Sequence, residues 1–297
     1  MKKLLLNVAL IIIMTIDFAS GQVQQPLPDK LPVKLEELTS ADFVRAVKKS
    51  GGVCIIPLGV FEKHGQHLPL GTDLIVVREL ALRAAKKEYA VVFPEYYFGQ
   101  INEAKHQPGT IAYSPELLWM MLQETLNELY RNGFKKIILV NGHGGNSGFL
   151  NYFLISQLNS PKDYSVILFS PVADTEFRTK QEAYFQSFAP GGHAGELETS
   201  LVLATRPDLV FLDRARLESG EDLDRLGSLK NQTSGFWWYA SFPNHYHGDG
   251  SYGNVDLGEL TLEHQSDLLA RLIKEFKNSN VLEELQKEFF NKIQNPR

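Results

Sequence analysis

The sequence lacks the features that mark several large classes of protein. It contains one cysteine, Cys54, so no disulfide can form within the chain. Its formal net charge is −5 and it has no basic cluster, which argues against nucleic-acid partners and anionic membranes. The apolar run at residues 4–16 is shorter than the roughly 20 residues that span a bilayer. We therefore expect neither a nucleic-acid partner nor a permanent membrane anchor.

The N-terminus has the pattern of an export signal. Lys2 and Lys3 precede the apolar run, and the small residues 19–21 follow it. We expect residues 1–21 to be a signal peptide that is cleaved near Gly21. The mature protein is then expected to be exported, either to the periplasm or out of the cell, with no membrane contact after cleavage.

The rest of the chain is expected to hold a linker and one large domain. Residues 22–35 contain three prolines, which exclude a helix and favour an extended linker. Residues 36–297 then alternate between helical patterns and short, continuous apolar runs. This alternation predicts an α/β domain whose parallel sheet is covered by helices on both faces. Residues 213–256 break the pattern and are expected to form a long excursion over the sheet edge.

The most informative segment is residues 61–73. It follows a buried apolar run at residues 53–59 and contains Glu62, His64 and Asp73 among two glycines and a proline. Such a segment should be a loop at the carboxyl end of a strand, where α/β sheets bind ligands. Carboxylates and imidazoles together suit a divalent metal ion, although a surface loop can also carry these residues without a function.

Two further segments have the same character. His143 lies among glycines directly after the apolar run at 136–140, in a pattern that does not match a phosphate-binding loop. His193 precedes Glu196 and Glu198 at the start of a helical pattern. Residues two apart on a helix point in different directions, so the two glutamates should not serve equivalently. Alone, each glutamate is readily explained as a solvated residue of a first helical turn.

Taken together, the segments resemble the creatininase (creatinine amidohydrolase) family. With two more segments, at residues 106–110 and 250–254, five stretches resemble family signatures in order; the other three are residues 62–73, 141–146 and 193–200. The resemblance extends over roughly residues 36–278. It implies a three-layer α/β/α fold with a mostly parallel central sheet, a homo-oligomer (trimer or hexamer) and two divalent metal ions per chain.

The resemblance also implies roles for single residues. Glu62, Asp73 and His143 would hold the first ion. His64, Asp73 and Glu198 would hold the second, with Asp73 as the bridge. His193 would transfer protons beside them. Zinc or manganese suits this mixture of imidazole and carboxylate, and a pair of such ions can lower the pKa of a shared water towards neutrality.

The sequence departs from the creatinine-cleaving members at two places. They carry a glutamate ligand where this chain has Gly145, so Glu196 is a candidate replacement and, with His193, a candidate catalytic residue. They also place tryptophans on the substrate, whereas this chain has none between Trp119 and Trp237. The pair Trp237–Trp238 can form another pocket wall, a packing cluster or an oligomer contact.

These observations predict an exported, metal-dependent hydrolase that acts on a small, cyclic amide through a water activated by two metal ions. The departures argue against creatinine itself. An alternative within the family is the opening of a cyclic ketone or lactone derived from a cyclitol or sugar. A non-catalytic binding protein is less favoured because it would not need His193. His67 has no metal role in this scheme and is expected to form a structural hydrogen bond.

Overall fold

Four parallel strands form the central sheet of the computed structural model, which describes residues 30–170 and 174–294. Their order is β2–β1–β3–β4. The strands are β1 (Val53–Leu58), β2 (Val91–Val92), β3 (Lys136–Asn141) and β4 (Ser165–Phe169). Leu58 and Asn141 are paired in register, so β1 and β3 end at the same level. The loops that follow these two strands therefore begin side by side.

Nine α-helices connect and cover the strands within the described residues. They are α1 (Ser40–Lys49), α2 (Thr72–Lys87), α3 (Pro115–Arg131), α4 (Asn146–Ser156), α5 (Thr175–Glu182), α6 (Glu196–Thr205), α7 (Trp237–Ser241), α8 (Val255–Asn278) and α9 (Val281–Gln294). None of these helices is long and apolar enough to cross a membrane. Sequence signals mark several boundaries. For example, the Ser114 side chain caps α3 by accepting the backbone N–H of Leu117, and Pro115 takes the first helical position.

The sheet separates two hydrophobic cores. Along β1, Val53 and Ile55 face one core, whereas Cys54 and Ile56 face the other, as the alternation of side chains in a strand requires. The first core contains apolar residues of α2, α6 and α8, and the second contains those of α1, α3 and α4. The predicted three-layer α/β/α arrangement with a parallel sheet is therefore confirmed.

Some expectations differ from the structure. Helices α5, α7 and α9 were not predicted from the sequence. The end of the expected linker is also packed, because Leu31 is buried and the backbone of Val33 accepts a hydrogen bond from Val92 of β2. The expected signal peptide lies outside the described residues. Most of residues 213–256 are irregular, as expected, although α8 begins at Val255 with Asn254 as its capping residue.

The close packing of α8 on α6 yields a stability prediction. A Cβ atom at Gly258 would lie 2.0 Å from the carbonyl oxygen of Ser200, whereas one at Gly148 would meet nothing within 4 Å. We expect Gly258→Ala to lower the free energy of unfolding by about 1–3 kcal/mol, because the helices must separate. Gly148→Ala, in the exposed face of α4, should raise it by up to about 1 kcal/mol.

Urea denaturation of both variants, followed by circular dichroism, measures the two changes. Equal effects of the two substitutions would show that the contact between α6 and α8 does not require a glycine.

Candidate metal centre

The site lies where the loops after β1 and β3 meet the first turn of α2. Two glycines allow this approach. A Cβ atom at Gly59 would lie 2.9 Å from the Cβ of Asp73, and one at Gly142 would lie 2.9 Å from the Asp73 carbonyl oxygen. Larger residues at either position would push α2 away from the sheet. Asp73 is thereby held next to the ends of both strands.

The first group of candidate ligands contains Glu62, Asp73 and His143. Nδ1 of His143 lies 2.7 Å from Oε1 of Glu62 and 3.3 Å from Oδ2 of Asp73. All three side chains are buried, and one potential ligand atom from each lies within 4.8 Å of the others. The structure thus brings together the three residues that the resemblance assigns to the first ion.

A second group lies on the opposite side of Asp73. Nε2 of His64 is 3.1 Å from Oδ1 of Asp73 and 3.8 Å from Oε2 of Glu198. His193 belongs to the same group, since its Nδ1 lies 3.8 Å from the same Glu198 oxygen. The two oxygens of Asp73 therefore face different groups, which is the geometry that a bridging carboxylate needs.

The chemistry of these residues fits divalent cations. Oε1 of Glu62 and Oδ2 of Asp73 are buried and have no hydrogen-bond partner among the described residues. Although His143 is close to both oxygens, it does not form a hydrogen bond with either in this geometry. Buried carboxylate oxygens without partners are costly, and a metal cation is one way to compensate them. Imidazole nitrogens and carboxylate oxygens together are typical ligands of zinc and manganese.

The electrostatics of the cluster support this interpretation. Burial raises the pKa of the Glu62 carboxyl, but His143, His193 and His245 together outweigh this effect and hold that pKa well below its usual value. Burial lowers the pKa of His64, whereas Asp73 raises it, with a net pKa of about 9. Burial raises the pKa of Glu198 to about 7. The carboxylates thus attract positive charge strongly, whether it comes from protons or from metal ions.

Glu196 is not brought into either group, which corrects the expectation that it replaces a ligand. Its buried carboxylate accepts backbone N–H groups from Gln186 and Ser187, at 2.9–3.1 Å. Glu198, two residues later on α6, instead faces His64 and accepts the N–H of Ala194. The different directions of the two glutamates follow from the helical geometry, as expected. Glu196 fixes the loop before α6.

His67 has a structural role in this arrangement. Its Nε2 lies 2.9 Å from Oγ1 of Thr199, and the ring packs near Tyr246. Burial lowers the pKa of this imidazole to about 4, so it is neutral near pH 7. The expected structural hydrogen bond is confirmed.

His245 contacts the first group, although sequence analysis gave it no role there. Its Nε2 forms a hydrogen bond with Oε2 of Glu62, and its Nδ1 lies 2.8 Å from Nε1 of Trp238. Glu62 and His245 are 183 positions apart. No spacing rule could connect them, and only the aromatic character of residues 236–247 marked this segment as noteworthy.

An inner cavity of about 360 Å³ borders both groups. Its wall includes Glu62, Asp73, His143, His193 and Glu198, together with Trp237, Trp238, His245 and His247. An outer cavity of about 650 Å³ shares Glu103, Gly144, Gly145 and Trp237 with it. The aromatic wall thus comes from the segment at 236–247, and the space available exceeds that of a single small ring.

Gly145 borders both cavities, and a neighbouring carboxylate lies beside it. A Cβ atom at Gly145 would lie 2.7 Å from Oε1 of Glu103 and 2.4 Å from Nε2 of His143. A larger residue at this position would therefore displace Glu103 or His143. The side chain of Glu103, which also accepts a hydrogen bond from Gln100, supplies an acidic group to this part of the cavity wall.

Comparisons with known proteins agree with the geometry. The model of the creatininase family, described as creatinine amidohydrolase, matches residues 36–273. The creatinine amidohydrolase of Pseudomonas putida is 31% identical over 195 residues, which cover 60% of this chain and 74% of that protein. The 3-dehydro-scyllo-inosose hydrolase of Thermotoga maritima is 24% identical over 255 residues, which cover 78% of this chain and 80% of that protein.

Solved structures that are similar to this chain include members of the same family. A creatininase structure described as the manganese form has a TM-score of 0.69 and 25% identity, and the match covers 83% of this chain and 99% of that one. A variant described as the Zn-Zn type has a TM-score of 0.70 and 25% identity, with the same coverage. The similarity therefore includes proteins crystallised with both metals that the ligand types favour.

The opposite orientations of the two glutamates on α6 can be tested by metal analysis. We expect Glu196→Gln to retain the metal content of the wild-type protein, because its carboxylate holds a loop and no candidate ligand. Glu198→Gln should lose metal, because an amide is a weaker ligand than a carboxylate. Elemental analysis after dialysis in zinc-free buffer measures both variants. Loss of metal from Glu196→Gln, with the fold retained, would contradict this assignment.

Proposed function

The chain belongs to the creatininase family and is a metal-dependent hydrolase, and we propose that it cleaves a small, cyclic amide at a centre of two divalent cations. Glu62, Asp73 and His143 would hold the first cation. His64, Asp73 and Glu198 would hold the second. The observation that carries this proposal is the position of Asp73, whose Oδ1 faces His64 and whose Oδ2 faces His143. When bound, the two cations would polarise the substrate carbonyl and make a water molecule more acidic.

His193 is the proposed proton carrier. Its Nε2 donates a hydrogen bond to the carbonyl oxygen of Lys63, at 2.8 Å. A carbonyl oxygen only accepts, so Nε2 carries the proton and Nδ1 has the free lone pair in the neutral ring. Nδ1 faces Glu198 across 3.8 Å. His193 can therefore accept a proton at Nδ1 and donate it to the leaving nitrogen of an amide.

A second candidate is the hydrolytic opening of a cyclic ketone or lactone derived from a cyclitol or sugar. It is favoured by the relative from Thermotoga maritima, whose match covers more of this chain than the match to the Pseudomonas protein does. It is also favoured by the outer cavity, which gives room for a polyhydroxylated ring. The same metal centre and the same histidine would serve this reaction.

The number of cations can be tested directly. We expect about two zinc or manganese ions per chain after reconstitution, as a bridged pair requires. Asp73→Asn should reduce binding at both positions, whereas His143→Ala should remove one ion and leave the other. Isothermal titration calorimetry and elemental analysis measure the number of ions bound per chain in each variant. A single ion per wild-type chain, or an Asp73→Asn variant with full content, would overturn the proposed centre.

The substrate class requires an activity screen. Cyclic amides, guanidino compounds and keto-cyclitols should be offered to the zinc and the manganese forms. We expect turnover of one class, reduced about 10²–10⁴-fold in His193→Ala because the proton carrier is lost.

His264→Gln is the matched control for this screen. It removes an imidazole that stacks on Phe177, away from the residues that line the inner cavity. Full activity of the His193→Ala variant would exclude His193 as the proton carrier.

A further inference from the structure

We propose that Trp238 and His245 form a hydrogen-bond chain that fixes the orientation of Glu62, which makes His245 a positioning residue and not a metal ligand. The chain runs from Nε1 of Trp238 to Nδ1 of His245, and from Nε2 of His245 to Oε2 of Glu62. The proposal deepens the proposed function and rests on it for the role of Glu62.

The contact with Trp238 determines the tautomer of His245. An indole N–H can only donate, so the nitrogen that it contacts must have a free lone pair. The contact from Trp238 is 2.8 Å long and ends on Nδ1 of His245. Nδ1 is therefore unprotonated, and in the neutral ring the proton lies on Nε2. This N–H then donates to the Glu62 carboxylate, which only accepts.

This tautomer leaves His245 without a nitrogen that can bind metal. Glu62, His193 and His245 form a third group whose potential ligand atoms lie within 4.8 Å of one another. A ligating imidazole nitrogen must have a free lone pair. In His245, Nδ1 is occupied by the indole N–H and Nε2 carries a proton, so neither nitrogen is available. The third group thus loses one of its members, and the two groups on either side of Asp73 are left as the cation positions.

The two carboxylate oxygens of Glu62 have different surroundings. Its Oε2 accepts from His245, whereas its Oε1 lies 2.7 Å from Nδ1 of His143 and has no hydrogen-bond partner among the described residues. The chain therefore distinguishes the two oxygens and directs Oε1 towards the first group. Such outer hydrogen bonds commonly orient metal ligands, and their loss reduces metal affinity about 10–100-fold.

The backbone and packing of His245 support a specialised role. Its φ is +53°, which is an uncommon conformation for a residue other than glycine. Its backbone N–H donates to the carbonyl of Phe242, and the ring of Trp238 packs on Phe242 at 4.6 Å. His245 is 2% exposed. The unusual backbone is thus held by the same aromatic segment that supplies the indole donor.

Trp238→Phe tests the chain because it removes the indole N–H and retains an aromatic ring. In the metal-free wild-type protein, nitrogen-15 NMR of labelled histidine should show His245 as the Nε2–H tautomer. Trp238→Phe should shift this signature and weaken zinc binding about 10–100-fold. Trp119→Phe is the control, since it makes the same substitution at an indole that packs on Phe153 and lines neither cavity, and both readouts should stay at wild-type values.

Two substitutions of His245 separate positioning from ligation. His245→Gln can still donate from its amide to Glu62, so its zinc affinity should exceed that of His245→Ala. Both variants should reach the wild-type number of zinc ions at saturation. Loss of one ion per chain in both variants, or an Nδ1–H tautomer in the wild-type protein, would overturn the proposal. A wild-type protein that binds one ion would instead contradict the proposed two-cation centre. In that case the NMR result would still test the hydrogen-bond chain.

Discussion

The compensation of buried carboxylates is the constraint on which this site depends. Glu62 and Asp73 are almost fully buried, and both carboxylates lie beside His143. Glu198 is close by, 3.8 Å from His64. Carboxylates at such short range repel one another, and removal from water increases that repulsion. Positive charge must therefore be supplied at the same place. The imidazoles of His64 and His143 provide part of it through their raised pKa values, and divalent cations would provide the rest.

The fold meets this constraint with a small number of precise contacts. The register of β1 and β3 starts two loops side by side, and the glycines at their ends admit the first turn of α2 between them. Gly258 similarly brings α8 onto α6, the helix that carries Glu198. The ligand-bearing segments are thus attached to the most buried parts of the protein. Such rigid packing can hold carboxylates that repel one another in one geometry.

The sequence predicted this architecture well because its signals are local. Continuous apolar runs predicted the strands, and the loop after β1 was recognised from Glu62, His64 and Asp73. The orientation of Glu196 could not be predicted. Helical spacing shows that Glu196 and Glu198 point in different directions, but it does not determine which of them faces the candidate ligands. His245 was missed because its partner Glu62 is remote in the chain and its tautomer depends on the position of one indole nitrogen. Such contacts follow from tertiary packing and have no period in the sequence.

One segment contributes both to the cavity wall and to the hydrogen-bond chain that reaches Glu62. Trp237 lines both cavities, whereas its neighbour Trp238 donates to His245 and so acts on Glu62. The two indole rings also pack edge to face, with their centroids 5.3 Å apart. The cavity wall and the proposed orientation of Glu62 therefore depend on adjacent residues. A substitution that reshapes this wall must still place the indole N–H opposite Nδ1 of His245 if the hydrogen-bond chain is to remain.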